Sequence, residues 1–316
     1  MNFVPTPSLD SKLPTIAGLI AECPGAEIIK YSPKKRCIIR VRRQGRNFYA
    51  KVYPSKFLRR GRGEGIDEIG RAFWSLAEAG QLNFSVAKPA GWDAAAVAVW
   101  NEELIGSPAI ERLRNGGKQV VHEIGKAIAL IADSRITPNR IFGYAQQLED
   151  TAEFAEILFS KFPAIAPTVK SVLEMLETVD LPEQVLKPIH GDMHIDQWMT
   201  NGNELGLLDL EDVSLGHPER DLAFFGVQLE SEHGTEVDCA TLIAVLMDGY
   251  KSLGWCPNER LMNIYAANKW FSKASKASSI QLANDLLRRA VDCLVPDSFV
   301  SPGVKRPGIL AASMIR

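Results

Sequence analysis

The sequence is poor in cysteine, and the five it has follow no pattern: Cys23, Cys37, Cys239, Cys256 and Cys293 include no CxxC pair and no regular spacing. That argues against a disulfide framework or a cysteine zinc site and favours a reducing compartment. The five histidines are not read as a zinc site. No apolar run approaches the roughly 18–20 residues that a membrane span needs. The opening MNFVPTPSLDSKLP has neither the basic start nor the apolar core of a secretory signal. The expectation is a soluble, cytoplasmic protein with no membrane partner. Charge of one sign is also missing. A formal net charge of −2 gives the whole molecule little pull toward nucleic acid or membrane. There is no internal repeat, no low-complexity tract and no GxGxxG.

What is present is an ordinary globular composition, 46% hydrophobic and 23% charged, over 316 residues, enough for two lobes with separate cores. The near-zero net charge hides an asymmetry. Thirteen Lys and Arg residues and no acidic residue lie between Lys30 and Arg62, whereas Glu204 to Asp238 holds ten acidic residues against Arg220 alone. Solvated faces of opposite sign account for most of these side chains. The sharper reading is a basic lobe over phosphates and an acidic lobe that holds metal and a cationic acceptor. The basic segment is not interleaved with enough aromatics to stack bases, so no nucleic-acid partner is expected.

The first hundred residues read as a short helix over 13–21, then strands 26–31, 37–43 and 48–53, a helix over 65–80 ended by Gly80, and two further strands. After a linker at Ile105-Gly106-Ser107-Pro108 the pattern turns helical: 119–133, 145–160, 168–178, 238–253, 258–272 and 278–294. One β interruption stands out, a hairpin with arms Gln197–Thr200 and Leu205–Leu210 around Asn201-Gly202-Asn203. The fold class expected is α+β, a bilobal protein-kinase-like fold. Residues 1–104 are expected to form a small β-rich N-lobe and residues 105–316 a large helical C-lobe with the embedded β-hairpin.

The chemistry concentrates in His190-Gly191-Asp192-Met193-His194-Ile195-Asp196-Gln197, then Leu208-Asp209-Leu210-Glu211-Asp212, then Gly216-His217-Pro218-Glu219-Arg220-Asp221. Phosphoryl transfer needs in-line positioning, neutralised phosphate charge and an acceptor for the hydroxyl proton. Asp192, in a loop before the hairpin, can face a hydroxyl and act as base. Gln197 and Asp209, on opposite arms of the hairpin, can converge on one magnesium ion, which prefers hard oxygen ligands. Glu211 either shares the metal or is solvated. Asp221, at a helix start, can accept hydrogen bonds from the catalytic-loop backbone, with His190 bracing the loop from inside. His194 and His217 read as structural.

This pattern resembles the catalytic core of the aminoglycoside phosphotransferase and choline kinase superfamily, most specifically over residues 188–225. The resemblance implies an ATP- and magnesium-dependent kinase acting on a hydroxyl of a small polar molecule: an aminoglycoside, sugar, amino sugar or amino alcohol. It implies that Lys51, in Tyr49-Ala50-Lys51-Val52-Tyr53, meets the α- and β-phosphates and is held by Glu68, with Glu64 the rival. It further implies that Trp100-Asn101-Glu102-Glu103 is the hinge that meets adenine, with Trp100 and Glu102 among the nucleotide contacts. Two residues depart from the family pattern: Gln197 stands for the usual Asn and His217 for the usual Asp. The phosphate-covering loop is Tyr31-Ser32-Pro33-Lys34-Lys35-Arg36 rather than glycine-rich. These departures motivate an alternative, a nucleotide-binding pseudokinase with a regulatory role.

Overall fold

The computed structural model describes residues 10–183 and 185–295. In chain order the elements are α1 (Ile16–Glu22), β1 (Glu27–Ser32), β2 (Arg36–Arg43), β3 (Arg46–Val52), α2 (Arg62–Glu78), β4 (Phe84–Val86), β5 (Pro89–Asp93), β6 (Ala98–Glu102) and β7 (Ser107–Pro108). Then follow α3 (Ala109–Arg114), α4 (Gln119–Asp133), α5 (Tyr144–Lys161), α6 (Ala166–Thr178), β8 (Lys187–Ile189), β9 (Trp198–Asn201), β10 (Glu204–Leu207), β11 (Ser214–Gly216), α7 (Pro218–His233), α8 (Cys239–Lys251), α9 (Glu259–Ser275) and α10 (Ile280–Leu294). Two compact units result. One runs up to Ser107 and takes in Met199–Glu211; the other comprises Pro108–Trp198 and the chain from Asp212 onward.

The first unit is built on an antiparallel sheet in the order β1-β2-β3-β6-β5. Strand β2 alternates as its sequence demands: Cys37, Ile39 and Val41 are buried while Arg36, Ile38 and Arg40 are only half-buried. Those buried residues join Ala50, Val52, Ala98 and Trp100 and the apolar side of α1 (Ile16 and Leu19) in one core. The β2–β3 connection has Gln44 and Gly45 at φ 50° and 80°, the left-handed pair that a tight hairpin requires. A second sheet, in the order β4-β10-β9-β7, contains the hairpin. The hairpin strands are shorter than the sequence suggests, so neither proposed metal ligand lies on an arm. Gln197 ends the 3₁₀ turn Ile195–Gln197 before β9, and Asp209 follows the end of β10.

The second unit is helical around the ribbon β8–β11, which pairs Ile189 with Ser214. Helices α4 and α8 cross at two glycines. A Cβ at Gly125 would stand 2.0 Å from the Leu246 carbonyl oxygen, and one at Gly249 2.0 Å from that of His122. Helices α7 and α9 are buried around much of their circumference, and the buried polar residues Thr151 and Asn268 satisfy each other at 2.8 Å. Among the described residues, no helix is long and apolar enough to cross a membrane.

Candidate active site

The ribbon β8–β11 delivers the chain to His190 and a sharp turn. Gly191 sits at φ 88°, and a Cβ there would lie 2.4 Å from the Asp212 carbonyl oxygen, so the turn requires glycine. Asp221, in the first turn of α7 and 1% exposed, takes both turn amides: the His190 N–H at 2.7 Å on Oδ2 and the Gly191 N–H at 2.9 Å on Oδ1. Burial pushes this carboxyl up, while the charges of His190 and Arg220 and the two amides oppose that shift. Arg220 closes the turn from the other side, donating to the Gly191 carbonyl and, at 3.2 Å, to Gln147 Oε1. The His190 ring is fully buried, and its Nδ1 accepts from the Asp192 N–H at 3.4 Å. Three fixed groups therefore hold the backbone that presents Asp192.

The Asp192 carboxylate itself stays half-exposed, with Oδ1 3.7 Å from Lys269 Nζ and Oδ2 3.7 Å from His194 Nε2. Lys269 lies on α9 over the face of Phe224, 4.3 Å from its centroid. Burial drives its ammonium down to about 8, and Asp192 resists the shift. Both residues line a cleft of about 270 Å³ in the second unit, together with Arg140, Asp150, Asp212 and Lys276.

In the first unit, Lys51 on β3 faces Tyr53, its Nζ 5.8 Å from that ring. Its Nζ stands 2.5 Å from Asp209 Oδ1 and 3.0 Å from Glu211 Oε2. Arg36, at the start of β2, meets the same two carboxylates at 3.5 and 2.5 Å. Asp209 adopts φ 59°, a strained conformation for a non-glycine residue and one concentrated at functional sites. Glu211 Oε2 is buried and makes no hydrogen bond of good angle despite its closeness to Lys51. Burial, and then the charge of Glu211, push the Tyr53 hydroxyl well up. Two carboxylates with hard oxygens, one of them short of a hydrogen-bond partner, fit a magnesium ion.

Several expected contacts are placed differently. No ion pair among the described residues joins Lys51 to Glu68 or Glu64; both glutamates are exposed on α2, and Asp209 and Glu211 hold the lysine. Trp100 does not offer its ring to a ligand. It is 8% exposed in the core against α1, with the Arg43 guanidinium 4.6 Å above it. The backbone of Trp100 pairs with Ala50 on one side and Gly91 on the other, and the Glu102 N–H donates to the Lys88 carbonyl. The Glu102 side chain lies near Arg46 and Lys88 at 3.5 and 3.6 Å. Strand pairing has used the groups expected at the hinge; 104–106 follow outside any strand. Gln197 is buried, with its N–H on the His194 carbonyl at 3.1 Å. His217 is structural, its Nδ1 2.6 Å from the Tyr265 hydroxyl.

The profile of the phosphotransferase enzyme family matches residues 89–256, more than half of the chain. The chain belongs to that family. Solved structures share the fold at low identity. Choline kinase LicA from Streptococcus pneumoniae is 15% identical, with 88% of this chain and 97% of that one covered at a TM-score of 0.59. The amicoumacin kinase hAmiN, in a complex with AMP-PNP, Ca2+ and Ami, is 11% identical, with 85% and 87% covered at 0.61. An aminoglycoside-3'-phosphotransferase of type VIII is 18% identical, with 89% and 98% covered at 0.55. No curated protein matches the chain. The fold is thus that of protein-kinase-like small-molecule kinases, and the protein is a phosphotransferase. Sequence reasoning missed Lys269 and the bracing role of Arg220. Arg220 is flagged only by its place beside Asp221, and Lys269 by nothing local, because helix packing alone brings it to Asp192.

Proposed function

We propose that the protein transfers the γ-phosphoryl group of ATP to a hydroxyl of a small polar molecule, with magnesium. The observation that carries the reading is Asp192, presented to a cleft on a turn that Asp221, Arg220 and His190 hold rigid. The acceptor oxygen attacks the γ-phosphorus, its proton passes to Asp192, and the bond to the β–γ bridging oxygen breaks to leave ADP. Lys51 and Arg36 neutralise phosphate charge once they exchange carboxylate partners for phosphate oxygens. Asp209 and Glu211 would hold magnesium, and Gln197 offers its amide oxygen to it; the bound ion supplies charge neutralisation at the transferring phosphoryl group. The backbone of 104–106, outside any strand, is the part of the hinge suited to adenine.

The cleft favours an acceptor rich in hydroxyls that carries charge of both signs. Lys269 and Lys276 stand beside Asp150, Asp192 and Asp212. A quaternary ammonium needs open aromatic faces, and here Arg220 already lies 4.2 and 4.5 Å from the centroids of Phe224 and Phe142. The cationic acceptor expected from the acidic stretch is therefore less suited to this cleft as a quaternary ammonium than as a hydroxyl-rich amine such as an amino sugar, and a zwitterion meets both signs of charge. The test is ADP release with ATP and magnesium against a library of hydroxyl compounds, followed by Asp192→Asn. A general base contributes on the order of 10²–10⁴ in rate, so kcat falls by about that factor with nucleotide affinity little changed. Nucleotide binding without turnover against any acceptor would instead support the regulatory reading.

A further inference from the structure

The second unit gathers a further set of ligand types where the turn Ile195–Gln197 meets the end of α7. His233 is 9% exposed, and both of its ring nitrogens are buried without a hydrogen bond. Its Nε2 lies 3.7 Å from Asp196 Oδ1 and its Nδ1 3.6 Å from Glu236 Oε2. The Nδ1 of His194, also buried without a hydrogen bond, is 3.6 Å from Asp196 Oδ2. Asp196, Glu232 and His233 each place one ligand atom so that all three lie within 4.8 Å of one another.

The 3.7 Å between His233 Nε2 and Asp196 Oδ1 is too long for a hydrogen bond, which runs at about 2.9 Å, and suits two ligands of one ion. With bonds of about 2.0–2.2 Å and tetrahedral angles, neighbouring ligand atoms stand about 3.4 Å apart. The surroundings complete the pattern. A metal-bound imidazole usually hands its other N–H to a carboxylate, and Glu236, itself held by Arg114 at 2.7 Å, faces His233 Nδ1. Glu232 receives Lys273 and Gln228 on the same oxygen, Oε1.

The geometry points to a divalent-metal site formed by Asp196, Glu232 and the His233 Nε2, with Glu236 orienting the imidazole. One nitrogen and two carboxylates select an ion of the zinc class over magnesium. The ion ties the turn that follows Asp192 to the C-terminal end of the helix whose first turn holds the catalytic loop. Its ligands are other residues than those proposed for the metal of phosphoryl transfer, and its binding does not depend on that reaction.

The experiment is a Co²⁺ titration of the full chain after chelator treatment, without nucleotide, read by visible absorption and reversed by Zn²⁺. One equivalent binds. His233→Ala and Glu232→Gln each weaken binding more than the about 10–100-fold that an outer partner is worth, and Glu236→Gln falls within that range. Asp209→Ala leaves the Co²⁺ spectrum unchanged, which separates this ion from the nucleotide metal. Melting curves establish that each variant is folded, and Glu232, being exposed, decides the matter should His233→Ala not fold. Absence of stoichiometric Co²⁺ uptake, or uptake unaltered in Glu232→Gln, overturns the site.

Discussion

Removing the Asp221 carboxylate separates its two duties, holding the loop and permitting catalysis. It accepts two buried backbone N–H groups at 2.7 and 2.9 Å and stands beside the buried Arg220. A hydrogen bond to a charged group contributes about 1.5–3 kcal/mol, and a buried donor left unpaired costs about 1–3 kcal/mol. Asp221→Ala orphans both amides and strips Arg220 of a counter-charge, so the loss is about 3–5 kcal/mol, near the value for a broken buried pair. Against a total of about 5–15 kcal/mol that leaves a folded but weakened protein. Asp221→Asn keeps one acceptor but turns an NH₂ toward the second amide, so it loses less, about 2–3 kcal/mol. Either change frees the Gly191 turn, and a displacement of about 1 Å at a reacting group costs on the order of 10²-fold. Urea denaturation at 25 °C with initial rates over ATP and acceptor concentration measures both effects. The expected outcome is a fall in kcat with the ATP KM nearly constant, because Lys51, Arg36, Asp209 and Glu211 are not touched. A stability loss below about 1 kcal/mol for Asp221→Ala, or an unchanged kcat, would refute the account of the loop.

Lys51→Ala and Glu211→Ala lose less together than the sum of their separate effects on ATP KM, with a coupling of about 0.5–3 kcal/mol, whereas Glu68→Ala adds independently to Lys51→Ala; a double-mutant cycle on kcat/KM measures both. Gln197→Asn retains more activity than Gln197→Ala because only the first keeps a carbonyl oxygen, and the contrast is sharpest in a magnesium titration; equal losses would remove Gln197 from the metal. Lys269 has a folded-state value of about 8 against an ordinary 10.5. The folded state therefore sheds its proton first, and between those pH values the unfolded chain binds more protons, so stability rises with pH through that window. Lys269→Met removes this rise, worth at most about 3 kcal/mol, and parallel denaturation curves at pH 7 and 9.5 reveal the difference.

How much of this was legible follows from the range of each interaction. The strands β1 to β3 and the helices α4, α5, α6, α8, α9 and α10 stand close to where the periodicity of the sequence puts them, because most of them bury one face and the pattern is local; β1, with no buried residue, and α9, buried on most sides, are marked instead by their flanking turns and caps. The ribbon β8–β11 was not legible. Each strand has three residues, too few for an alternation, and the pairing of Ile189 with Ser214 joins segments far apart in sequence. The hairpin was legible as a hairpin, but its length was not: Leu208 to Leu210 continue the apolar run after the strand has ended, and Asp209 turns to φ 59°. That turn cannot be read from residue type alone, since aspartate tolerates the left-handed region without requiring it, and here Lys51 and Arg36 meet its carboxylate.

The site divides in the same way. The turn at His190-Gly191-Asp192 was readable through its motif, which names both the turn and the aspartate in a helix first turn that receives its two amides; the clash with Asp212 that makes Gly191 necessary was not. The partner of Lys51 was not readable, because a lysine on a strand places no constraint on which carboxylate approaches it. Strand-then-helix order favoured Glu68. The fold instead brings the residues after β10 to that face of the sheet, and two carboxylates in contact with two cations outweigh one exposed glutamate on α2. The same reasoning applies to Lys269. Its Nζ stands 3.7 Å from Asp192 Oδ1, a contact made by a residue with no motif of its own. Its placement depends on α9 packing against α7, a contact between helices that no short window of sequence contains.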